Sequence, residues 1–239
     1  MRKESSFQES SDTVKLAVIN LGFNRDYQDI WNLQKRIVAL KNDKRITEDI
    51  LLLLEHNSVF TIGRSGGENH ILIDKKTLYE NGIMVYNVDR GGDITYHGKG
   101  QVVGYPILDL NNFKKDVHWY LRKLEEVIID SLKKIGLEAN IKKGLTGVWI
   151  KDEKIASIGI GVCKWITYHG IAVNLSPDLK YFDMILPCGI DGVKITSLKK
   201  LNISCSMKKY CDLITESFTK IFNITYEIKD EKWLQKILQ

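Results

Sequence analysis

Apolar positions recur along this chain in two rhythms, and the switches between them outline its elements. Residues 16–21 form a short apolar run that predicts a strand. Tyr27, Ile30, Trp31, Gln34, Ile37 and Val38 then return at helical spacing behind Asn24 or Asp26 as a cap, which predicts a helix over residues 26–41. Residues 50–55 and 59–62 read as buried strands around a His-Asn-Ser turn, and residues 83–88 as another. Residues 102–110 follow as a strand containing Pro106, which predicts an edge or a bulge because proline has no N–H for the ladder. The clearest helix covers residues 116–135, where Val117, Tyr120, Leu121, Leu124, Val127, Ile128, Leu132 and Ile135 make one stripe. Gly136 stands just past its end, where a C′ glycine belongs. Residues 148–150 and 155–162 flank Asp152-Glu153 as a hairpin, and residues 165–175 read as a further strand. A last helix is marked by Met207, Tyr210, Cys211, Ile214, Phe218, Ile221 and Phe222. Strands in clusters with few long helices predict an α+β fold, a mixed and largely antiparallel sheet flanked by helices, over βαβ winding.

One segment fits neither rhythm. Arg90-Gly-Gly-Asp-Ile-Thr-Tyr-His97-Gly-Lys-Gly-Gln101 sets four glycines among donors, acceptors and a titratable ring. Glycine lets another molecule approach the main chain closely, so the segment reads as the wall of a binding pocket. A dinucleotide fingerprint is excluded because these glycines do not open a helix.

Composition narrows the setting. With 239 residues, 44% of them hydrophobic, the chain can bury the core of a single domain over residues 13–239. Residues 1–12 are polar, lack the apolar stretch of a secretory signal and are expected to be a flexible N-terminus. The longest strongly apolar run, residues 50–54, is too short to span a bilayer, so no membrane association is expected. The net charge of +5 is spread among interleaved acidic residues, which argues against a nucleic-acid face and fits an acidic protein partner. Four cysteines without a CxxC pair point to free thiols in a reducing compartment.

Among these cysteines Cys188 stands apart, because Pro187 and Gly189 around it make poor core packing and clear space at the sulfur. Cys163, Cys205 and Cys211 read as structural thiols. A nucleophilic thiol needs a base or a cation nearby. Lys154 is the candidate: on a strand it shares a face with Ala156 and Ile158, surroundings that desolvate an amine and lower its pKa. A solvated lysine at a hairpin turn is the alternative, and nothing in the sequence brings Lys154 to Cys188. His97 and His169 each close a Thr-Tyr-His-Gly tetrapeptide and suggest two pocket walls. A Cys-His hydrolase using Cys188 with either histidine stays open. Zinc binding is disfavoured because the spacing matches no common site, and no metal or cofactor is expected.

The residues from Arg90 to Gln101, then Val103-Gly-Tyr-Pro-Ile107, Lys154-Ile-Ala-Ser-Ile-Gly159, Tyr168-His-Gly-Ile-Ala-Val-Asn174 and Pro187-Cys-Gly-Ile190, resemble the lipoyl(octanoyl) transferases, with Thr61-Ile-Gly-Arg64 similar to that family's first pocket loop. The resemblance implies the fold of biotin and lipoate protein ligases and a cysteine–lysine dyad, which maps onto Cys188 and Lys154. It implies acyl-substrate contacts at Arg90, Gly91, Gly92, Asp93, Ile94, Thr95, Tyr96 and His97, at Ser157, Ile158 and Gly159, and at Gly170, Ile171 and Ala172. It further implies an octanoyl group delivered by acyl carrier protein to lipoyl domains of 2-oxoacid dehydrogenase subunits and to glycine cleavage H protein. The compartment would be the cytoplasm, or a mitochondrion or plastid in a eukaryote. Where the family usually has proline after His-Gly, this chain has Lys99, which is expected to place a charge at the pocket rim and loosen the loop. Two rivals remain: an ATP-dependent lipoate or biotin ligase of the same fold, and a non-catalytic module that binds acyl carrier protein.

Overall fold

The computed structural model describes residues 15–189 and 192–239, without the side chain of Cys188. The expected flexible stretch over residues 1–12 and the position of the Cys188 thiol therefore lie outside the described residues. In chain order the elements are β1 (Lys15–Arg25), α1 (Tyr27–Asn42), β2 (Asp49–His56), β3 (Val59–Ile62), α2 (Lys75–Glu80), β4 (Met84–Asn87), β5 (Ile94–His97) and β6 (Gln101–Ile107). There follow α3 (Val117–Lys133), β7 (Asn140–Lys142), β8 (Leu145–Ile150), β9 (Glu153–Cys163), β10 (Ile166–Asn174), β11 (Lys194–Ile195), α4 (Met207–Phe222), β12 (Thr225–Lys229) and α5 (Glu231–Ile237).

The long helices begin where their caps dictate. Asp26, Asp116 and Ser206 each accept a backbone N–H from the first turn of α1, α3 and α4, satisfying donors that have no partner inside the helix. The main sheet runs β12-β1-β2-β6-β10-β9-β8-β7, with β11 added on β9. Pairing is parallel from β12 to β2 and antiparallel from β2 to β7, so the sheet is mixed and largely antiparallel. Helices α3 and α4 cover one face around Tyr120, Leu124, Ile128, Tyr210 and Phe218. The other face packs Ile30 and Ile37 of α1 and Leu234 of α5 against Ile19, Leu52 and Tyr105. Every residue of β2 and β10 is buried, and burial on both faces is why residues 50–54 of β2 read as an unbroken apolar run.

Two expectations need correction. The strands do not form one sheet: β4-β3-β5 is a separate three-stranded sheet with its own core of Phe60, Ile62, Tyr96, Phe182 and Ile185. It takes in part of the glycine-rich segment, where Ile94–His97 pairs with β3 as a strand. Pro106 is not on an edge strand but lies between β2 and β10. Its carbonyl accepts the Thr167 hydroxyl on the β10 side, and the N and O of a strand residue face the same neighbour. The missing N–H therefore faces β10 opposite His169, which takes φ +56°; the register is the same on either side, Gly104 opposite Ile171 and Asp109 opposite Ile166, so neither strand carries an extra residue and the bulge is not found either. The terminal elements β12 and α5 were not anticipated.

Candidate active site

Strands β9 and β10, the small sheet and the turn before β11 enclose a cavity of about 210 Å³. From the glycine-rich segment Arg90, Gly92, Asp93, Ile94, Thr95 and His97 reach its wall. Ser157, Ile158 and Gly159 come from β9, and Gly170, Ile171 and Ala172 face them from β10. Lys154 and Pro187 complete the meeting of motifs.

Two of the expected contacts lie elsewhere. Tyr96 is buried in the small sheet, stacked on Tyr181 with ring centroids 4.7 Å apart, and its burial pushes the phenol up to about 12. Gly91 donates its N–H to Ile160 O at 2.8 Å and fastens the segment to β9 from outside the cavity. Lys99 is exposed and does not line the cavity, so the expected charge at the rim is not found. Its loop is held without proline: the Gly100 N–H reaches the buried Glu55 carboxylate at 2.7 Å, and Gly100 O accepts from both Leu175 and Ser176.

The glycines of the wall are explained by Arg90. Its guanidinium is buried and donates to Thr61 O at 2.7 Å, Thr61 Oγ1 at 2.9 Å and Gly91 O at 3.1 Å. A Cβ on Gly159 would stand 2.7 Å from Arg90 Cδ, and one on Gly63 would be 2.8 Å from Arg90 Nη1. Side chains there would expel the arginine, which clasps the loop before β5 to the loop after β3.

Lys154 is only 4% exposed. Simple alternation places it with Ala156 and Ile158, but Val148 pairs with Ala156 and Trp149 with Lys154, leaving Ile155 as an extra residue. The irregularity brings Lys154 to the same cavity as Ser157, which alternation assigns to the opposite face. Gly147 makes room for the amine: a Cβ there would collide with Lys154 Cε. Glu125 lies behind, its side chain 1% exposed, paired with Arg122 and accepting the Gly147 N–H at 3.3 Å; burial raises its pKa.

The topology brings the backbone of the Pro187–Gly189 turn to the cavity that Lys154 lines. The turn Pro187–Gly189 opens on the cavity through Pro187, and the chain then returns as β11, pairing Ile195 with Lys154. Thr196 N–H donates to Lys154 O at 2.9 Å. The turn itself is held by Leu186 N–H to His70 O at 2.8 Å and by Gly189 N–H to Leu186 O at 2.9 Å. The Gly189 N–H is thereby committed. Gly189 has φ +65°, and a Cβ on it would collide with Asp93 Oδ2. Asp93 is fixed in turn by the His70 Nδ1–H donating to Oδ1 at 2.7 Å and by the Ile94 N–H at 2.6 Å. His70 gave no signal in the sequence, because a lone histidine in a loop has no pattern to betray it.

The inner end of the cavity is aromatic and polar. Tyr27, His97, Tyr105 and His169 line it. Desolvation is the chief reason that His97 lies well below the ordinary imidazole range and that Tyr105 lies well above the phenol range. Behind it, His56 Nδ1–H donates to Arg25 O at 3.1 Å while Nε2 accepts the Tyr105 hydroxyl at 2.8 Å; burial lowers its pKa to about 4. His169 donates from Nε2 to Asp89 Oδ1 at 2.9 Å, and this bond is the main cause holding Asp89 below the usual carboxylate range. Neither His97 nor His169 is therefore set up as a free base. Among the described residues, no group of three His, Cys, Asp or Glu side chains is placed to hold a metal ion.

The sequence profile of the lipoyl protein ligase A/B catalytic domain matches residues 26–219. The chain belongs to this family. An octanoyltransferase of Clostridium kluyveri is 47% identical over 184 residues, spanning 77% of this chain and 78% of that protein. One from Caldanaerobacter subterraneus is 44% identical over 187 residues, spanning 78% and 82%. The family member described here is thus an acyltransferase. Among solved structures, the bi-partite lipoate protein ligase of Thermoplasma acidophilum superposes with a TM-score of 0.73 at 16% identity, covering 94% of this chain and 92% of that one. LipL1 of P. falciparum in complex with lipoate gives 0.73 at 18% identity, covering 93% and 67%. These structures establish the fold of the lipoate protein ligases. No described helix is long and apolar enough to cross a membrane.

Proposed function

We propose that the protein takes an octanoyl group from the thioester of acyl carrier protein and passes it, through a thioester on Cys188, to a lysine of a lipoyl domain. The observation that carries this reading is the convergence of Lys154 and the Pro187–Gly189 turn on one cavity walled by glycine-rich backbone. Lys154 favours the Cys188 thiolate, either by taking its proton or as an ammonium beside it. The thiolate attacks the octanoyl carbonyl, a new C–S bond forms, and the carrier's C–S bond breaks to release its thiol. One thioester replaces another at nearly equal free energy, so no ATP is required. The acceptor lysine, deprotonated with help from Lys154, then attacks the acyl-enzyme. Its N–C bond forms as the C–S bond to Cys188 breaks, and the amide produced is the more stable species. Backbone N–H groups must hold the oxyanion in both steps. With the Gly189 N–H already bonded, the wall near Gly159 is the better candidate. The acceptors are lipoyl domains of 2-oxoacid dehydrogenase subunits and glycine cleavage H protein, met in the cytoplasm.

Replacing Cys188 with Ser is expected to abolish transfer, since an alkoxide is far harder to generate than a thiolate. Lys154→Ala should move the pH profile of Cys188 alkylation upward and slow acylation strongly. Full activity in the serine variant would remove the acyl-enzyme, and an unchanged alkylation profile would remove the role given to Lys154.

A further inference from the structure

An acyl donor and an acyl acceptor must both reach the cavity, and three neighbouring cavities share wall residues with it. One, beside Tyr27, includes Asp26 among its lining and no cation. A second, beside Pro187 and Ile195, is lined by Glu153 and Asp183 as well as Lys194 and Lys200, with Lys200 paired to Glu153 at 2.9 Å. The third, of about 560 Å³, shares Gly144, Leu145 and Thr146 with the substrate cavity. Arg64 and Arg122 line it, and no carboxylate does. Val117 and Leu121 of α3 and Ile160 and Val162 of β9 give it an apolar floor, with His118 also on its wall. Arg122 is paired with Glu125 yet leaves half of its side chain open to solvent. Arg64 is exposed and forms no ion pair with any described residue. Its backbone is pinned by an N–H to Arg90 O at 3.0 Å, so the cation sits on a fixed loop.

We propose that this groove receives the phosphate-bearing arm of the acyl donor, with Arg64 and Arg122 on the phosphate and the apolar floor under the arm. The proposal rests on the reading of the donor as a thioester carried by acyl carrier protein, whose thiol stands on a pantetheine arm joined through a phosphodiester. Of the three routes only this one matches an anion by charge, and guanidinium suits phosphate by geometry as well. Its shared wall, Gly144–Thr146, adjoins Gly147 and hence Lys154, so an arm lying here delivers its thioester to the end of the cavity where Lys154 stands.

The test compares three octanoyl thioesters without ATP: pantetheine, 4′-phosphopantetheine and the intact carrier protein. Acylation of Cys188 is followed for the wild type and for Arg64→Gln, Arg122→Gln and the double variant. In the wild type the phosphorylated arm should have a KM about tenfold below that of pantetheine, as an ionic hydrogen bond on a partly exposed surface allows. The double variant should lose this ratio, with the change in KM and not in kcat, and high salt should shrink it in the wild type. A ratio near one in the wild type, or an unchanged ratio in the double variant, overturns the proposal. So does a loss confined to the intact carrier protein, which would assign the arginines to the protein surface instead of the arm. If none of the three thioesters acylates the wild type, the parent reading fails and takes this one with it; acylation by all three at equal KM sinks the groove alone.

Discussion

Gly147 makes room for the Lys154 amine, and Gly189 shapes the turn that carries Cys188. A methyl group on Gly147 would strike Lys154 Cε and must also accept φ +127°; one on Gly189 would strike the Asp93 carboxylate at φ +65°. Gly147→Ala should therefore displace the amine without removing it. An ångström of misplacement in a reacting group costs about 100-fold in rate, so a loss of that order in Cys188 acylation is expected, with a modest fall in melting temperature. Gly189→Ala should act alike from the other side of the site. Acylation at the wild-type rate in both variants would show that neither position is tuned by its glycine. The sequence made Gly189 suspicious through its place beside Cys188, and the match around Lys154 named that residue. It was silent on Gly147 and His70, because their importance arises from contacts across long stretches of chain.

Periodicity located the long helices because each buries a single continuous face; α3 and α4 were legible from their stripes alone. It failed where a strand departs from strict alternation. The extra residue at Ile155 moves Lys154 to the substrate side, and at His169, with φ +56°, β10 leaves regular strand geometry opposite Pro106. There Thr167 bridges the broken ladder, donating its hydroxyl to Pro106 O at 2.8 Å and accepting the Leu108 N–H at 2.9 Å. Thr167→Val keeps shape and burial but strands the Leu108 N–H and leaves Pro106 O only the Tyr120 hydroxyl at 3.5 Å, so urea unfolding should show a loss of about 1–3 kcal/mol. A loss well below 1 kcal/mol would mean that this stretch of the two strands is held by other contacts, such as the close approach of Gly170 to Pro106. Pro106 was read as an edge or bulge from its own chemistry; the sheet order and register that exclude both are set by residues far away in sequence.

At the scale of the whole molecule, the buried histidines tie stability to pH. His56, His97 and His169 all have folded pKa values below the ordinary imidazole value, in each case chiefly because burial opposes the charge. For a depressed pKa the contribution to stability is complete above the unfolded value, about 6.5 for histidine, and is lost as pH falls toward the folded one. His56, lowered to about 4, should alone account for a loss of about 3 kcal/mol between neutral pH and pH 4. Asp89 also has a depressed pKa, so its contribution fades only at lower pH, below the ordinary carboxylate range. Denaturant unfolding from pH 7 to pH 4 should show a steep decline beginning near 6.5; a flat profile down to pH 5 would contradict the neutral, buried state of these rings. The central claim, however, is an acyl-enzyme on Cys188 formed without ATP, and the most direct test is the intact mass of the protein after incubation with octanoyl-acyl carrier protein and no nucleotide. The account predicts the gain of one octanoyl group, located on the peptide containing Cys188 and discharged when a lipoyl domain is added. No gain in mass without ATP, or the same gain in the Cys188→Ser variant, would contradict it.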